Sequence, residues 1–589
     1  MRKLASTDWL IALLLFFATL IPIVLTASDI GLTYDEPIYG GASAKVAEWL
    51  RLTLRSACAG DVSSPFSAST IDDYWSAKDM QPATVKYVNA LSVMLLQPLL
   101  GYLAAIRFGS GFMLSLCVAA LYLWSARVYS RRAGVVGAMS LVLMPRLWGH
   151  AHFTTCDVPV ATMSFLMVVS VWWLAQVARL TSAGGEQREI SRERRRPAIV
   201  PVVWATFITG LVAGLAVGTK MNAVVSYGVL LPWALTQGRR GFVRVAIALL
   251  AVAPMIFFLS WPWLWVDPAT RLGEYLRFQL QHYKIGATYF GKTYVIPPWH
   301  YPFVMTAITT PIATLALAVV GSVRVNRMAG DRRSTRTRSE SAARLLILCV
   351  AVQLTVFAMP GVPRYNGVRL FLSAFPFMAM LAGIGYDRLA GWVLGWKMLD
   401  IAEPQKGSDS QSPSRLRKQI AFVVAAVCLL PGFTGIVTYH PYELSYYNSL
   451  VGGLPGAVQR GFEPTYWGDT YVKALSFLNR DAPDGAIINV WPPGVVSYFE
   501  MYQRSGALRP DLRFTAGDSA MRTADYVVFH TRQSEMSGSP LAVKLFREGK
   551  PAFVVEHLGV PLNVVYGHSE LNRVLGAGTR MRSPSEDIR

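Results

Sequence analysis

The sequence predicts an α-helical polytopic membrane protein of about 11 transmembrane helices, followed by a small C-terminal α/β domain outside the membrane. Three observations carry that reading. Of 589 residues, 53% are hydrophobic and only 16% are charged, whereas soluble domains carry about a quarter charged residues. The apolar residues come in blocks of about 20, the length a helix needs to cross a hydrocarbon core of about 30 Å. Arginines gather between those blocks, at Arg127, Arg131 and Arg132, at Arg192 to Arg196, at Arg239, Arg240 and Arg244, and at Arg332 to Arg338, where cytoplasmic loops are expected to carry them.

The spans fall at roughly 9–27, 108–126, 133–149, 157–178, 198–217, 221–237, 243–261, 303–322, 344–360, 368–386 and 419–438. A further apolar stretch, 88–106, is read as an amphipathic helix in the outer interface, interrupted at Pro98 and Gly101. Were it to cross, Arg131 and Arg132 would face outward, against the positive-inside bias. The run after Met1-Arg2-Lys3 is taken as a retained first helix rather than a signal peptide. This topology puts the N-terminus in the cytoplasm of a cell with an inner (plasma) membrane. The transmembrane domain is 1–438, with outer loops 28–107 and 262–302. Beyond it, span-length blocks stop and β-rich runs appear at Ala486–Trp491, Tyr526–Thr531 and Ala552–Val555. Residues 439–589 are therefore expected to form an extracytoplasmic α/β domain.

Topology also accounts for the net charge of +20. No aromatic-studded basic domain accompanies it, so nucleic acid is not an expected partner; membrane lipids are. The five cysteines show no paired spacing, which argues against a disulfide framework or a zinc site. P-loop, dinucleotide and zinc-protease motifs are absent from any fitting context.

The residues that could carry chemistry cluster at the outer ends of the spans. Tyr34-Asp35-Glu36-Pro37 follows the first helix. Two adjacent carboxylates at an interface cost desolvation and mutual repulsion. They could merely start a helix, with Asp35 as its cap, or Asp35 could act as a general base towards a hydroxyl. The segment His150-Ala-His152-Phe-Thr-Thr-Cys-Asp157-Val-Pro159 precedes the 157–178 span, and Asp157 admits the same two readings. Both aspartates come out on one face of the membrane. Cations join them there against the positive-inside bias: Lys86, Lys220, Arg364 and Arg369. Each alone could be a snorkelling side chain. Together, near two carboxylates, they could hold a phosphate. Tyr365 and Asn366 lie between the two arginines. The loop 262–302 adds His282 and His300 among Trp and Tyr residues that suit either an interfacial belt or a sugar site.

At these residues the chain resembles the C-type (GT-C) membrane glycosyltransferases, in the family 39-like branch of protein O-mannosyltransferases and bacterial aminoarabinose transferases. The matching features, in order, are Asp35-Glu36, Pro82–Lys86, Asp157–Pro159 and Gly218-Thr219-Lys220. Tyr365 to Arg369, His440 to Leu444 and Tyr466-Trp467-Gly468 are also similar. The likeness spans roughly residues 10–470. One departure is Gln81-Pro82-Ala83, where the family usually has two prolines after His.

The resemblance implies a GT-C-like transferase that moves a sugar from a polyprenyl-phosphate carrier to a hydroxyl on the non-cytoplasmic side. It implies Asp35 as base, with Glu36 and Asp157 orienting it or the acceptor, and Lys86, Lys220, Arg364 and Arg369 on the carrier phosphate. Tyr34, His150, His152, Tyr365, Asn366, His282 and His300 would line the substrate. The acceptor is left open among lipid, glycan and protein. No metal ligands are assigned, and a divalent cation, Mg²⁺ or Mn²⁺, stays an open cofactor. A phosphate leaves readily, so the site needs a base and cations rather than a general acid. A single displacement would invert the anomeric centre. The rival reading is a multi-pass transporter of a small solute or lipid-linked precursor, which would place its charges near the bilayer midplane.

Overall fold

The computed structural model describes residues 2–75, 81–186, 199–281, 284–328, 338–393 and 415–576. Among the described residues, eight helices are individually long and apolar enough to cross a membrane: Ser6–Leu25, Ala83–Val128, Asp157–Ala178, Val200–Val217, Arg239–Ser260, Ser339–Val356, Arg369–Trp392 and Leu416–Tyr439. A ninth is available if Tyr301–Thr309 and Ile312–Val323 form one broken span bent by 118°. The chain is an integral membrane protein with fewer full-length spans than the sequence predicts, and the reasons are local. The expected span 133–149 is a helix Arg131–Val142 and a separate turn of helix from Pro145 to His150. Proline at the second start has no N–H to continue the earlier ladder. The expected span 303–322 breaks where Pro311 follows Thr310. The expected span 221–237 is a 3₁₀ turn, Met221–Ser226, leading into the short helix Tyr227–Leu235.

The element Ala83–Val128 holds 46 residues, about 70 Å if straight, more than twice a hydrocarbon core. It is not straight. Gly101 takes φ 75° and ψ 169°, a conformation that side chains with a Cβ rarely adopt. There the chain doubles back: the Ser92 hydroxyl donates to the carbonyl of Ala105 at 2.5 Å. The first limb carries an exposed stripe of Leu91, Leu95 and Leu99, spaced for one face of a helix. The stretch 88–106 thus folds back on one side of the bundle, and the single crossing belongs to the second limb.

Ion pairs mark the two ends of the bundle. At one end, Asp8 accepts from Arg2 (2.8 Å) and Arg131 (2.6 Å), so the N-terminus and the first arginine cluster lie together. The opposite end of helix Ser6–Leu25, a further 30 Å or so away, leads into the Asp35 loop and helix Glu36–Cys58. Trp49, Trp75, Trp261 and Trp263 pack there in a cluster with Tyr275. Two short strands, β1 (Ala287–Tyr289) and β2 (Lys292–Tyr294), pair antiparallel in the loop 262–302.

After helix Leu416–Tyr439 the chain builds a mixed five-stranded sheet. Its strands are β3 (Ile487–Trp491), β4 (Arg513–Ala516), β5 (Tyr526–His530), β6 (Phe553–His557) and β7 (Val560–Gly567), in the order β4-β3-β5-β7-β6. β3 pairs parallel with β4 and β5 through helical crossovers, whereas β7 pairs antiparallel with β5 and, as a hairpin, with β6. Helices Val472–Asp481 and Val496–Arg504 lay apolar faces on it. The end of β5 is aimed at the Asp35 loop, which brings the C-terminal sheet to the candidate site.

Candidate active site

Arg369 is the hub. Its Nε donates to Asp157 Oδ2 at 2.8 Å, and its Nη2 donates to Asp35 Oδ2. Asp157 also accepts from Lys220 Nζ at 2.7 Å. The sequence order Asp35, Asp157, Lys220, Arg369 therefore closes into one alternating chain of charge: carboxylate, guanidinium, carboxylate, ammonium. One guanidinium bridges the two aspartates, so they lie well inside the ~15 Å that a single substrate could span.

Local structure places each group at the end of an element. Asp35 occupies the N-cap position of helix Glu36–Cys58, with Pro37 in the first turn, yet its side chain makes no capping bond. The carboxylate is turned to Arg369 instead. Asp157 opens the third long span, Arg369 opens Arg369–Trp392, and Lys220, with extended backbone, follows the turn after Val200–Val217 and caps Met221–Ser226. Burial separates the acids. Asp157 is 1% exposed while Asp35 keeps 20%, so Asp35 is the carboxylate that a substrate hydroxyl could reach.

Trp467 forms the floor. The Arg369 guanidinium carbon sits 3.9 Å from its ring centroid, a stacked cation–π geometry open to a planar guanidinium but not to an ammonium. Trp467 holds φ 78°, which is costly for a residue of that bulk. Its carbonyl accepts the backbone N–H of Tyr34 at 3.1 Å. The same indole packs on His150 and Phe153.

Scans against protein-family models and curated proteins find no match. Among solved structures, the chain is similar to ArnT from Cupriavidus metallidurans bound to undecaprenyl phosphate, at 13% identity and TM-score 0.46, covering 98% of this chain and 100% of that one. The apo form of the same protein aligns at 15% identity and TM-score 0.48, with the same coverage. An Archaeoglobus fulgidus oligosaccharyltransferase tethered to an acceptor peptide aligns at 12% identity and TM-score 0.41, over 80% of this chain and 63% of that one. At these identities and scores, function has to be argued from the residues themselves.

The remaining expected site residues divide. Tyr365 is buried next to Arg369, and Asn366 takes φ 54° in the turn that leads to it. Lys86 is buried in the first limb of Ala83–Val128, whose Thr84 N–H donates to the carbonyl of Gly218, near Lys220. His150 lies under Trp467 and bonds the Tyr466 hydroxyl at 3.1 Å. Burial pushes its imidazole down to about 3, so it is neutral. Tyr34 donates to Glu535 at 2.6 Å and lies 2.7 Å from His530 Nε2.

Other expected residues are engaged elsewhere. Glu36, expected to orient Asp35 or the acceptor, is fully buried and accepts from Arg107 at 2.8 and 2.6 Å and from the N–H groups of Thr33 and Thr154, so it faces the loop that carries Asp35 and not an acceptor. Arg364 turns to the carbonyls of Ala358 and Met359, at 3.1 and 3.0 Å, rather than to the aspartates. His152 donates Nδ1–H to the carbonyl of Trp148 and meets Thr26 through Nε2, a packed neutral ring pushed down to about 3 by burial. His300 pairs with Tyr289 in an aromatic cluster of the 262–302 loop. His282 lies outside the described residues. Sequence reasoning missed Arg107, His530, Glu535 and the seating of Arg369 on Trp467. A lone arginine at the edge of an apolar block was the available signal for the first.

Among the described residues, no group of three or more His, Cys, Asp or Glu is arranged to hold a metal ion.

Proposed function

We propose that the chain is an integral-membrane glycosyltransferase that takes a sugar from a polyprenyl-phosphate carrier and gives it to a hydroxyl acceptor on the non-cytoplasmic face. The observation that carries this reading is the shared guanidinium. Asp35 and Asp157 neutralise Arg369 and Lys220 in a site that keeps one carboxylate partly exposed. A phosphodiester arriving there offers Arg369 the same kind of partner that Asp35 does. Exchange of one anion for the other leaves Asp157 holding both cations and frees Asp35 beside the anomeric carbon.

The chemistry follows from those roles. Asp35 accepts the proton of the acceptor hydroxyl as its oxygen attacks the anomeric carbon. The bond from that carbon to the phosphate oxygen breaks, and the charge that develops on the leaving phosphate is met by Arg369 and Lys220. Attack and departure on opposite faces invert the anomeric centre. Asp35, Asp157, Lys220, Arg369 and Tyr34 are the residues proposed for the reaction and its positioning, with Lys86, Tyr365, Asn366 and His150 around them. The orientation proposed is N-terminus in the cytoplasm and the 439–589 domain outside, in an inner or plasma membrane, because Arg2, Arg131 and Arg132 gather at the Asp8 end.

The test is transfer in membranes. Radiolabelled polyprenyl-phosphate hexoses and pentoses are offered to membranes with the wild-type chain or Asp35→Asn. Donor-dependent release of polyprenyl phosphate by wild type, lost in the variant, is the expected result. An absence of release from every donor, or equal release by Asp35→Asn, overturns the reading. Solute uptake altered by the variant would favour a transporter.

A further inference from the structure

Arg146 stands outside the Arg369 network. It lies on the short helix Pro145–His150 and is 1% exposed. Its Nε donates to the carbonyl of Tyr446 at 3.0 Å, while Nη1 and Nη2 are both buried and meet no acceptor in good hydrogen-bond geometry. Tyr447 and Tyr466 present their rings to the guanidinium, its carbon being 4.5 and 5.2 Å from their centroids. Aromatic faces stabilise a cation modestly; they do not replace a counter-charge taken out of water.

No carboxylate completes the pair. The nearest acids are committed elsewhere. Glu463 accepts from Arg532 and from the N–H groups of Thr288 and Ser534, and Asp469 accepts from the Thr465 hydroxyl and is held in its protonated form by burial up to about pH 7, so it brings no full counter-charge to Arg146. What Arg146 does face is a small cavity bounded by Thr288, Tyr301, Gly367, Glu463 and Tyr466. The cavity has about 10 Å³ of room for the centre of a water-sized group, enough for one such group. Gly367 lets the guanidinium and the Tyr466 ring close on the backbone: with φ 61°, a Cβ there would stand 2.4 Å from Arg146 Nη1 and 2.8 Å from that ring. The acid on its wall, Glu463, is already paired with Arg532, and the hydroxyls of Tyr301, Tyr447 and Tyr466 act on Arg146, that of Tyr447 within hydrogen-bonding reach.

We propose that this cavity is an anion-binding subsite in which Arg146 takes a single halide-sized ion or one oxyanion group. The anion is either a free inorganic or carboxylate ion, or an acidic group carried by a carbohydrate ligand. The position favours the second source without requiring it. Gly367 precedes Arg369 by two residues and Tyr466 adjoins Trp467, so an acidic substituent in the cavity would lie beside the proposed reaction centre. The subsite itself does not depend on the transferase reading.

The experiment uses the full-length protein in nanodiscs, in sodium gluconate at constant ionic strength. Chloride and acetate are titrated in one arm. Galacturonate and glucose 6-phosphate are titrated in the other, against galactose and glucose. Unfolding temperature and ³⁵Cl line width are followed. Wild type is expected to gain about 1–3 °C saturably with at least one anionic class and none with the neutral sugars. Arg146→Gln is expected to lose the response. Should that variant fail to fold, Met305→Glu, which adds a carboxylate to the cavity wall and keeps Arg146, serves instead and is expected to abolish the anion response. A response to chloride or acetate identifies a solution anion; a response to the sugar acid or phosphate alone identifies a carbohydrate-borne group. No response to any of the four anions, or an equal response in the variants, overturns the proposal. Because none of these readouts involves sugar transfer, their failure is distinct from failure of the proposed reaction.

Discussion

Arg107 and Glu36 form a two-point ion pair with both side chains shut off from solvent, Nε to Oε1 at 2.8 Å and Nη2 to Oε2 at 2.6 Å. Arg107 also donates to the carbonyls of Ala27, Ile30 and Gly31. The pair therefore nails the loop before Asp35 to the second limb of Ala83–Val128. Removing one partner strands the other in a low dielectric, at a cost of about 3–5 kcal/mol. Arg107→Ala and Glu36→Ala should each lower folded yield and unfolding temperature in detergent, and the double variant should lose less than the sum. Additive losses would contradict the pairing.

Asp35 and Arg369 should fail differently. Asp35→Asn keeps a hydrogen-bonding group at the N-cap and is expected to fold normally while losing about 10²–10⁴ in transfer rate, the range of a general base. Arg369→Lys retains charge but cannot serve Asp35, Asp157 and the Trp467 face together. A fall in kcat/KM of at least tenfold with unchanged unfolding temperature is expected from steady-state assays. Wild-type kinetics in Arg369→Lys would remove the shared guanidinium from the mechanism.

The Tyr34 hydroxyl carries the contact between the Asp35 loop and β5. It meets Glu535 and His530, and Glu535 in turn accepts from Arg532 at 2.9 Å. Arg532 and His530 hold Glu535 well below the usual carboxylate range, at about 2, against the opposing push of burial. A hydrogen bond to such a charged group is worth about 1.5–3 kcal/mol. Tyr34→Phe should destabilise the protein by an amount of that order and loosen the Asp35 loop. Hydrogen exchange at residues 33–36 and at β5 should rise together; a rise at only one of them would mean that the two are not coupled.

Asp469 supplies a pH prediction. It is buried with the Thr465 hydroxyl, Glu443 and Arg146 around it, and burial first, with Glu443 adding, lifts its carboxyl from 3.8 to about 7. The folded state thus keeps a proton that the unfolded chain releases near pH 4. That contribution to stability is full below the unfolded value, declines as pH rises towards 7, and is gone above it. Asp469→Asn keeps the shape and removes the titration. Its unfolding temperature should match wild type near pH 4 and exceed it at pH 8, a divergence that thermal scans would reveal.

The parts legible in the sequence were those governed by hydropathy and charge. Asp35, Asp157, Lys220 and Arg369 stand at the ends of apolar blocks, and alternation of spans was enough to put them on one face. Full-length crossings were harder, because composition does not weigh Pro145 and Pro311, which break apolar runs into short helices. Adjacent charges were hardest. Asp35 and Glu36 look equivalent as a pair, yet one faces a partly open site and the other a buried arginine 71 residues away. Arg364 and Arg369 share a segment, and only backbone direction sends one to carbonyls and the other to aspartates. Those distinctions depend on partners remote in sequence, which no local pattern encodes.

Tyr34 and His530 are 496 residues apart in the chain. The Asp35 loop is synthesised long before the strand that clamps it. A chain cut short ahead of β5 would still hold the apolar spans, yet its Asp35 loop would lack the Tyr34 contact. Trimming β5 away should therefore unsettle a loop that lies at the other end of the fold's connectivity.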